Sequence, residues 1–166
     1  MNVVLCGMMG AGKTTVGIQL AKRIGKQFVD TDAVITQRYG DIASIFASYG
    51  EAHFRKIERE VVTKLSSKSN LIISTGGGVV LEEKNTLALK QQGKIFFLRA
   101  KIPTLVNRLK KDTTRPLLQG ENLEDKLSHL LSSRTPIYES SSDYTIDVDG
   151  KTPSQIAEEI ISIINE

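Results

Sequence analysis

Val3-Val4-Leu5-Cys6 runs directly into Gly7-Met8-Met9-Gly10-Ala11-Gly12-Lys13-Thr14. The first four residues form an apolar run of the length of a buried strand, and the next eight fit the pattern G-x-x-x-x-G-K-S/T. From Val16 to Ile24 the apolar residues recur at helical spacing. Strand, glycine-rich loop and helix in that order make a phosphate cradle. Glycines let backbone N–H groups turn toward an anion, and the helix N-terminus adds its partial positive charge. In such a loop Lys13 reaches the β- and γ-phosphates and Thr14 ligates Mg²⁺. A nucleoside triphosphate is thereby implied as donor, and the acceptor is left open.

Outward from this unit, Leu71–Ser74 and Ile95–Leu98 read as further buried strands, with Phe28-Val29 and Tyr144–Val148 as weaker candidates. Helical spacing is present at Ala52–Leu65, Leu87–Gln91, Pro103–Leu109, Leu123–Arg134 and Ser154–Ile164. Strands alternating with helices predict an α/β three-layer domain, a parallel sheet covered on both faces. Ligands of such sheets bind beyond the carboxyl ends of the strands. Gly7–Thr14 follows the first strand, Asp30-Thr31-Asp32 the second and Gly76-Gly77-Gly78 the third, so all three are expected to open onto one crevice. Lys110–Gly120 is polar, holds Pro116 and Gly120, and reads as a mobile loop between two helices. No repeat or long linker divides the chain, which is expected to be a single domain over residues 1–166.

Composition narrows the partners. The 22 basic and 19 acidic residues leave a net charge of +3, interspersed rather than massed. A pI of about 9.0 therefore suits an enzyme of anionic phosphates. With no Trp and 5% aromatics there is little material for stacking bases, so no nucleic-acid partner is expected. Cys6 is the only cysteine, which excludes an intrachain disulfide, and its place in the first strand suits a small buried hydrophobe. No apolar run approaches the ~20 residues of a membrane span, and no signal-like leader is present. The expectation is a cytoplasmic monomer with no membrane partner.

Phosphoryl transfer needs a positioned hydroxyl, a proton acceptor, a metal and cations facing the moving group. Asp30 and Asp32 lie two apart at a strand end and share a face if strand geometry persists. One then holds Mg²⁺ through water while the other accepts a hydroxyl proton; alternatively Asp32 caps the following helix. Three glycines in succession at 76–78 remove every side chain where something must approach the backbone. Ser74 or Thr75, just before them, suits a metal-bound water. Arg55 and Glu58 are three apart on a helix, either an exposed pair of little consequence or a rigid fork for a substrate carboxylate. Arg115-Pro116 is either a plain turn or a lid arginine that meets the γ-phosphate and excludes water. Arg134 is either a charge at a helix C-terminus or a ligand of substrate. His53 and His129 are isolated and expected at the surface, and Met8 and Met9 are expected to line or cover the crevice rather than to be buried.

Together these residues resemble the shikimate kinase family, and the resemblance spans nearly the whole chain. It rests on Gly7–Thr14, Asp30-Thr31-Asp32, Gly50–Glu58 with Phe54-Arg55, Thr75–Gly78, Arg115-Pro116-Leu117, Arg134 with Pro136 and Tyr138, and Pro153. The phosphate loop alone is shared by many enzymes; the ordered set is far more specific. The resemblance implies a P-loop kinase fold, with a five-stranded parallel sheet in the order 2-3-1-4-5, a lid at about 110–120 and a shikimate-binding helical segment at about 31–60. It implies ATP-dependent phosphorylation of the 3-hydroxyl of shikimate on the route to chorismate and the aromatic amino acids. By the same resemblance Asp32 binds the acceptor hydroxyls and acts as base, and Arg55 and Arg134 grip the carboxylate. Gly76, Gly77 and Gly78 pack along the substrate, and Lys13 and Arg115 stabilise charge on the transferred group. Gly10, Ala11, Gly12, Lys13, Thr14 and Thr15 cradle ATP, with Arg108 and Pro153 about its adenine. One Mg²⁺ is ligated by Thr14 and reached through water by Asp30 and Ser74.

Two departures stand out. Gly40-Asp41-Ile42 is one residue shorter than the family's usual spacing, which predicts a local change of turn rather than lost activity. Glu82-Glu83-Lys84 carries more charge after the glycines than the family pattern suggests. Two other functions share the loop: a gluconate or nucleoside monophosphate kinase, and a nucleotide-binding regulator that hydrolyses ATP slowly. The first leaves Asp-Thr-Asp, Phe-Arg and triple glycine together unexplained, and the second has no need of paired arginines for a carboxylate.

Overall fold

In a computed structural model, which describes residues 1–111 and 122–166, the apolar runs become the middle of a sheet. Strand β1 (Asn2–Cys6) is buried at all five positions and β3 (Leu71–Ser74) at all four. Strand β4 (Gly93–Arg99) is buried at all but Lys94 and Arg99. Strands covered on both faces need no polar alternation, so they read as continuous hydrophobic runs. The edge strands β2 (Gln27–Asp30) and β5 (Tyr144–Asp147) are more exposed, with only Ile146 of β5 buried, and their sequence signal is weaker for that reason. All pairings are parallel, in the order β2-β3-β1-β4-β5. Helices cover both sides of the sheet.

Parallel neighbours require crossover connections, and the helices supply them. Helix α1 (Lys13–Ile24) leaves the phosphate loop, packs against α8 (Pro153–Ile164) and stops at Gly25, whose φ of 66° is left-handed. Helix α4 (Glu51–Ser66) lies against α5 (Glu83–Gln92), and α6 (Ile102–Lys110) against α7 (Leu123–Ser141).

The helical segment expected at about 31–60 is three helices: α2 (Thr31–Tyr39), α3 (Ile42–Tyr49) and the first turns of α4. Helix α2 buries only Thr31 and Ile35, and α3 only Ile45, which is too little for a visible apolar stripe. They meet across Gly40 and Asp41 alone. Gly40 turns at φ 93°, and the Asp41 carboxylate accepts from the Ser44 N–H at 3.0 Å to cap α3. Helix α7 departs from expectation. It continues through Pro136 to Ser141, so Arg134 lies inside the helix and not at its end.

Candidate active site

The loops after β1, β2 and β3 open at the same end of the sheet, and the β2-β3-β1 order sets them side by side. Between them is a cavity of about 240 Å³ lined by Lys13, Thr14, Asp30, Asp32, Arg55, Glu58, Ser74, Thr75, Gly76–Gly78 and Arg134, with an apolar wall of Met9, Ile42, Phe46 and Phe54.

On the donor side, Gly10 and Gly12 adopt φ of 84° and 97°, a region that side chains resist, and the chain curls there into α1. Lys13 Nζ donates to the carbonyls of Gly7 at 2.5 Å and Met8 at 3.1 Å, which folds the ammonium over the loop. Met9 lines the cavity. Met8 does not: it is 1% exposed and points into the core, so the expectation for that residue is corrected. A second hollow of about 220 Å³, lined by Ala11, Gly12, Thr15, Val16, Arg108, Pro153 and Ile156, lies beside the loop. Arg108 Nη1 donates to the Gly10 carbonyl at 2.9 Å. Pro153 begins α8 behind a capping box in which Thr152 and Gln155 each satisfy the other's backbone N–H.

The two acids divide the labour differently from a strand pair. Asp30 is the last residue of β2 and Asp32 lies in the first turn of α2, so strand alternation does not bring them together. Asp30 is the cap: its Oδ1 accepts from the Ala33 N–H at 3.1 Å. Its Oδ2 accepts from the Thr14 hydroxyl at 3.3 Å, and Asp30 stands opposite Ser74 in the sheet register. Thr14, Asp30 and Ser74 thus present oxygen donors in one place, a set that fits Mg²⁺, which favours hard oxygen ligands and keeps several waters. Thr75 is committed elsewhere, its hydroxyl donating to the Leu5 carbonyl at 2.9 Å.

The triple glycine has a geometric explanation. A Cβ on Gly76 would lie 2.8 Å from Asp32 Oδ1, one on Gly77 would lie 2.9 Å from Arg134 Nη1, and one on Gly78 would lie 2.5 Å from Arg55 Nη1. Each glycine makes room for one charged head. The Gly76 N–H also donates to the Thr31 hydroxyl at 2.9 Å, tying this segment to the start of α2.

Arg55 is held from its own helix. Nη1 donates to Glu58 Oε1 at 2.9 Å, Glu51 stands 3.6 Å from Nη2, and the guanidinium carbon lies 5.2 Å from the centre of the Phe54 ring. Glu58 is 1% exposed, so this is not a solvated surface pair. Burial pushes its carboxyl above the ordinary carboxylate range, and Arg55 opposes that shift. Glu82 of the charged 82–84 stretch is occupied by Arg59 Nη1 at 3.0 and 3.2 Å.

Arg115 and most of the expected lid lie outside the described residues. Cys6 is buried in β1, and burial pushes its thiol up to about 11, which leaves it without nucleophilic character near neutral pH. His53 and His129 are at the surface, His53 against Tyr49 with ring centres 4.8 Å apart. The sequence reading missed Ile42 and Phe46. Their signal was an i, i+4 apolar pair on α3; the Phe46 ring packs tilted against that of Phe54, with centres 4.8 Å apart.

The shikimate kinase family model matches residues 9–165. A shikimate kinase of Thermodesulfovibrio yellowstonii is 48% identical over 161 residues, covering 96% of this chain and 92% of the relative. Shikimate kinase from Acinetobacter baumannii, solved in complex with shikimate, superposes with a TM-score of 0.92 at 39% identity, covering 99% of this chain and 92% of that one. Shikimate kinase from Bacteroides thetaiotaomicron gives a TM-score of 0.92 at 30% identity, covering 100% and 99%. With a match of this extent, and with charged groups gathered around one glycine-lined cavity, the chain belongs to the shikimate kinase family.

Proposed function

We propose that this chain transfers the γ-phosphoryl group of ATP to the 3-hydroxyl of shikimate, forming shikimate 3-phosphate and ADP on the route to chorismate and the aromatic amino acids. The observation that carries this reading is the alignment of Asp32, Arg134 and Arg55 along Gly76, Gly77 and Gly78 beside Lys13. A polyol carboxylate fits that array: two guanidinium forks for the carboxylate, one carboxylate for a hydroxyl.

Asp32 orients the acceptor hydroxyl and takes its proton. Arg55 and Arg134 fix the carboxylate at the far end, which holds the hydroxyl in line with the donor. Lys13, with Arg115 from the lid at about 110–120, stabilises charge on the transferring group. Gly10–Thr15 cradle the phosphates, and Arg108 and Pro153 flank the adenine. Thr14 would hold one Mg²⁺ directly, with Asp30 and Ser74 reaching it through water, and the ion would supply positive charge to offset that of the donor phosphates. We assign this activity to a monomeric single domain in the cytoplasm, acting on small molecules and not on nucleic acid or membrane. The interspersed charge supports that assignment, and none of the described helices is long and apolar enough to cross a membrane.

Steady-state ADP release with shikimate, gluconate and nucleoside monophosphates as acceptors tests the function. Strong stimulation by shikimate alone is the expected result. Stimulation by a nucleoside monophosphate or gluconate without shikimate turnover overturns it.

A further inference from the structure

Tyr138 has a place in the site that the reaction above does not use. It is fully buried, with its ring 5.0 Å from that of Phe97. A phenol hydroxyl in such surroundings needs partners. It donates to the Gly77 carbonyl at 2.7 Å, and the Arg134 guanidinium lies close to its oxygen as an electrostatic partner. With one proton committed to Gly77, only the oxygen lone pairs remain for Arg134. Both groups converge on the same glycine: a Cβ there would lie 2.9 Å from Arg134 Nη1 and 3.6 Å from the Tyr138 oxygen. Arg134 and Tyr138 are one turn apart on α7 and share a face.

We propose that Tyr138 is a positioning residue for acceptor binding, fixing the Arg134 guanidinium against Gly77 so that its fork faces the substrate carboxylate; this rests on the assignment of Arg134 to that carboxylate. Glu58 does the same for Arg55 but with a different consequence. Glu58 is a carboxylate and offsets part of the charge it holds. Tyr138 is neutral: burial pushes its phenol further above its already high ordinary range. It therefore restrains Arg134 without cancelling the positive charge an anion would meet. Holding the long side chain before substrate arrives reduces the freedom lost on binding.

The test compares wild type with Tyr138→Phe, which keeps the ring on Phe97, using shikimate and an analogue whose carboxylate is replaced by hydroxymethyl. The variant is expected to raise the KM for shikimate about 10-fold, the effect of a carboxylate-binding guanidinium no longer held in place before binding. The KM for ATP and kcat should stay within about 2-fold. With the hydroxymethyl acceptor the two proteins should be alike, and in an Arg134→Ala background Tyr138→Phe should add nothing. Tyr138→Met, a second filler without the hydroxyl, carries the same expectation should the Phe variant fail to accumulate. An unchanged KM for shikimate, or an equal loss on both acceptors, overturns the proposal alone. A wild-type protein that does not turn over shikimate overturns the functional reading and the proposal with it.

Discussion

Asp32 and Glu58 show how two carboxylates in one cavity take unlike work from unlike surroundings. Asp32 sits in the first turn of α2 with its oxygens against Gly76, open to the cavity. Asp32→Asn keeps the shape and removes the charge. We expect kcat to fall by about 10²–10⁴, the range for a lost general base, with the thermal midpoint little changed; turnover near wild type would reassign the proton acceptor. Glu58 is buried and its carboxyl is pushed up by desolvation. A raised folded-state value means that its contribution to stability is complete below the ordinary carboxylate range and is lost as pH rises through the folded value. Melting curves of wild type and Glu58→Gln, taken from about pH 4 to 8, should therefore show the variant gaining relative to wild type as pH rises, while its KM for shikimate is worse. Parallel curves would remove the linkage. Glu58 and Arg55 were legible as a pair in the sequence, but whether the pair was solvated or buried depends on packing that spacing does not encode.

At the scale of elements, what could be read was whatever the sheet buries on both faces. Strands β1, β3 and β4 announced themselves as apolar runs, and the phosphate loop followed from the first of them. Helices α2 and α3 did not, because they bury one to two residues each and present the rest to solvent or to the cavity. In the sequence the helical spacing of α7 stops at Arg134, two residues before Pro136, yet the helix continues and delivers Tyr138 one turn beyond. The segment after β3 was legible as unusual but not as to why. Its glycines accommodate three charged heads from α2, α4 and α7. Gly78→Ala tests this reading. Its backbone φ of −96° tolerates alanine, and the atoms in the way belong to the tip of Arg55, which moves more cheaply than backbone. We expect a stable protein whose KM for shikimate rises about 10-fold or more, since a displaced guanidinium forfeits a charged hydrogen bond; unaltered KM would show that Arg55 is not set by this contact.

On the scale of the whole molecule, the chemistry is spread along almost the entire chain. The cavity draws on residues from Met9 to Arg134, and the hollow beside the loop on residues to Ile156. The strands that bring them together pair across long stretches of sequence, Val3 with Ile72 and Asn2 with Gly93. Contacts of that kind form late, after the loop-closure cost between them has been met, whereas helical turns form early. On dilution from denaturant, far-ultraviolet ellipticity should recover before kinase activity, with activity following the slowest phase. Activity that returns with the first phase would contradict this order. Because β3 lies between β1 and β2, its correct insertion is what brings donor loop and acceptor residues within reach. Catalytic competence in this protein is thus a report on assembly: a chain that has its helices but not β3 in place has no partial activity to show, and turnover counts only finished molecules.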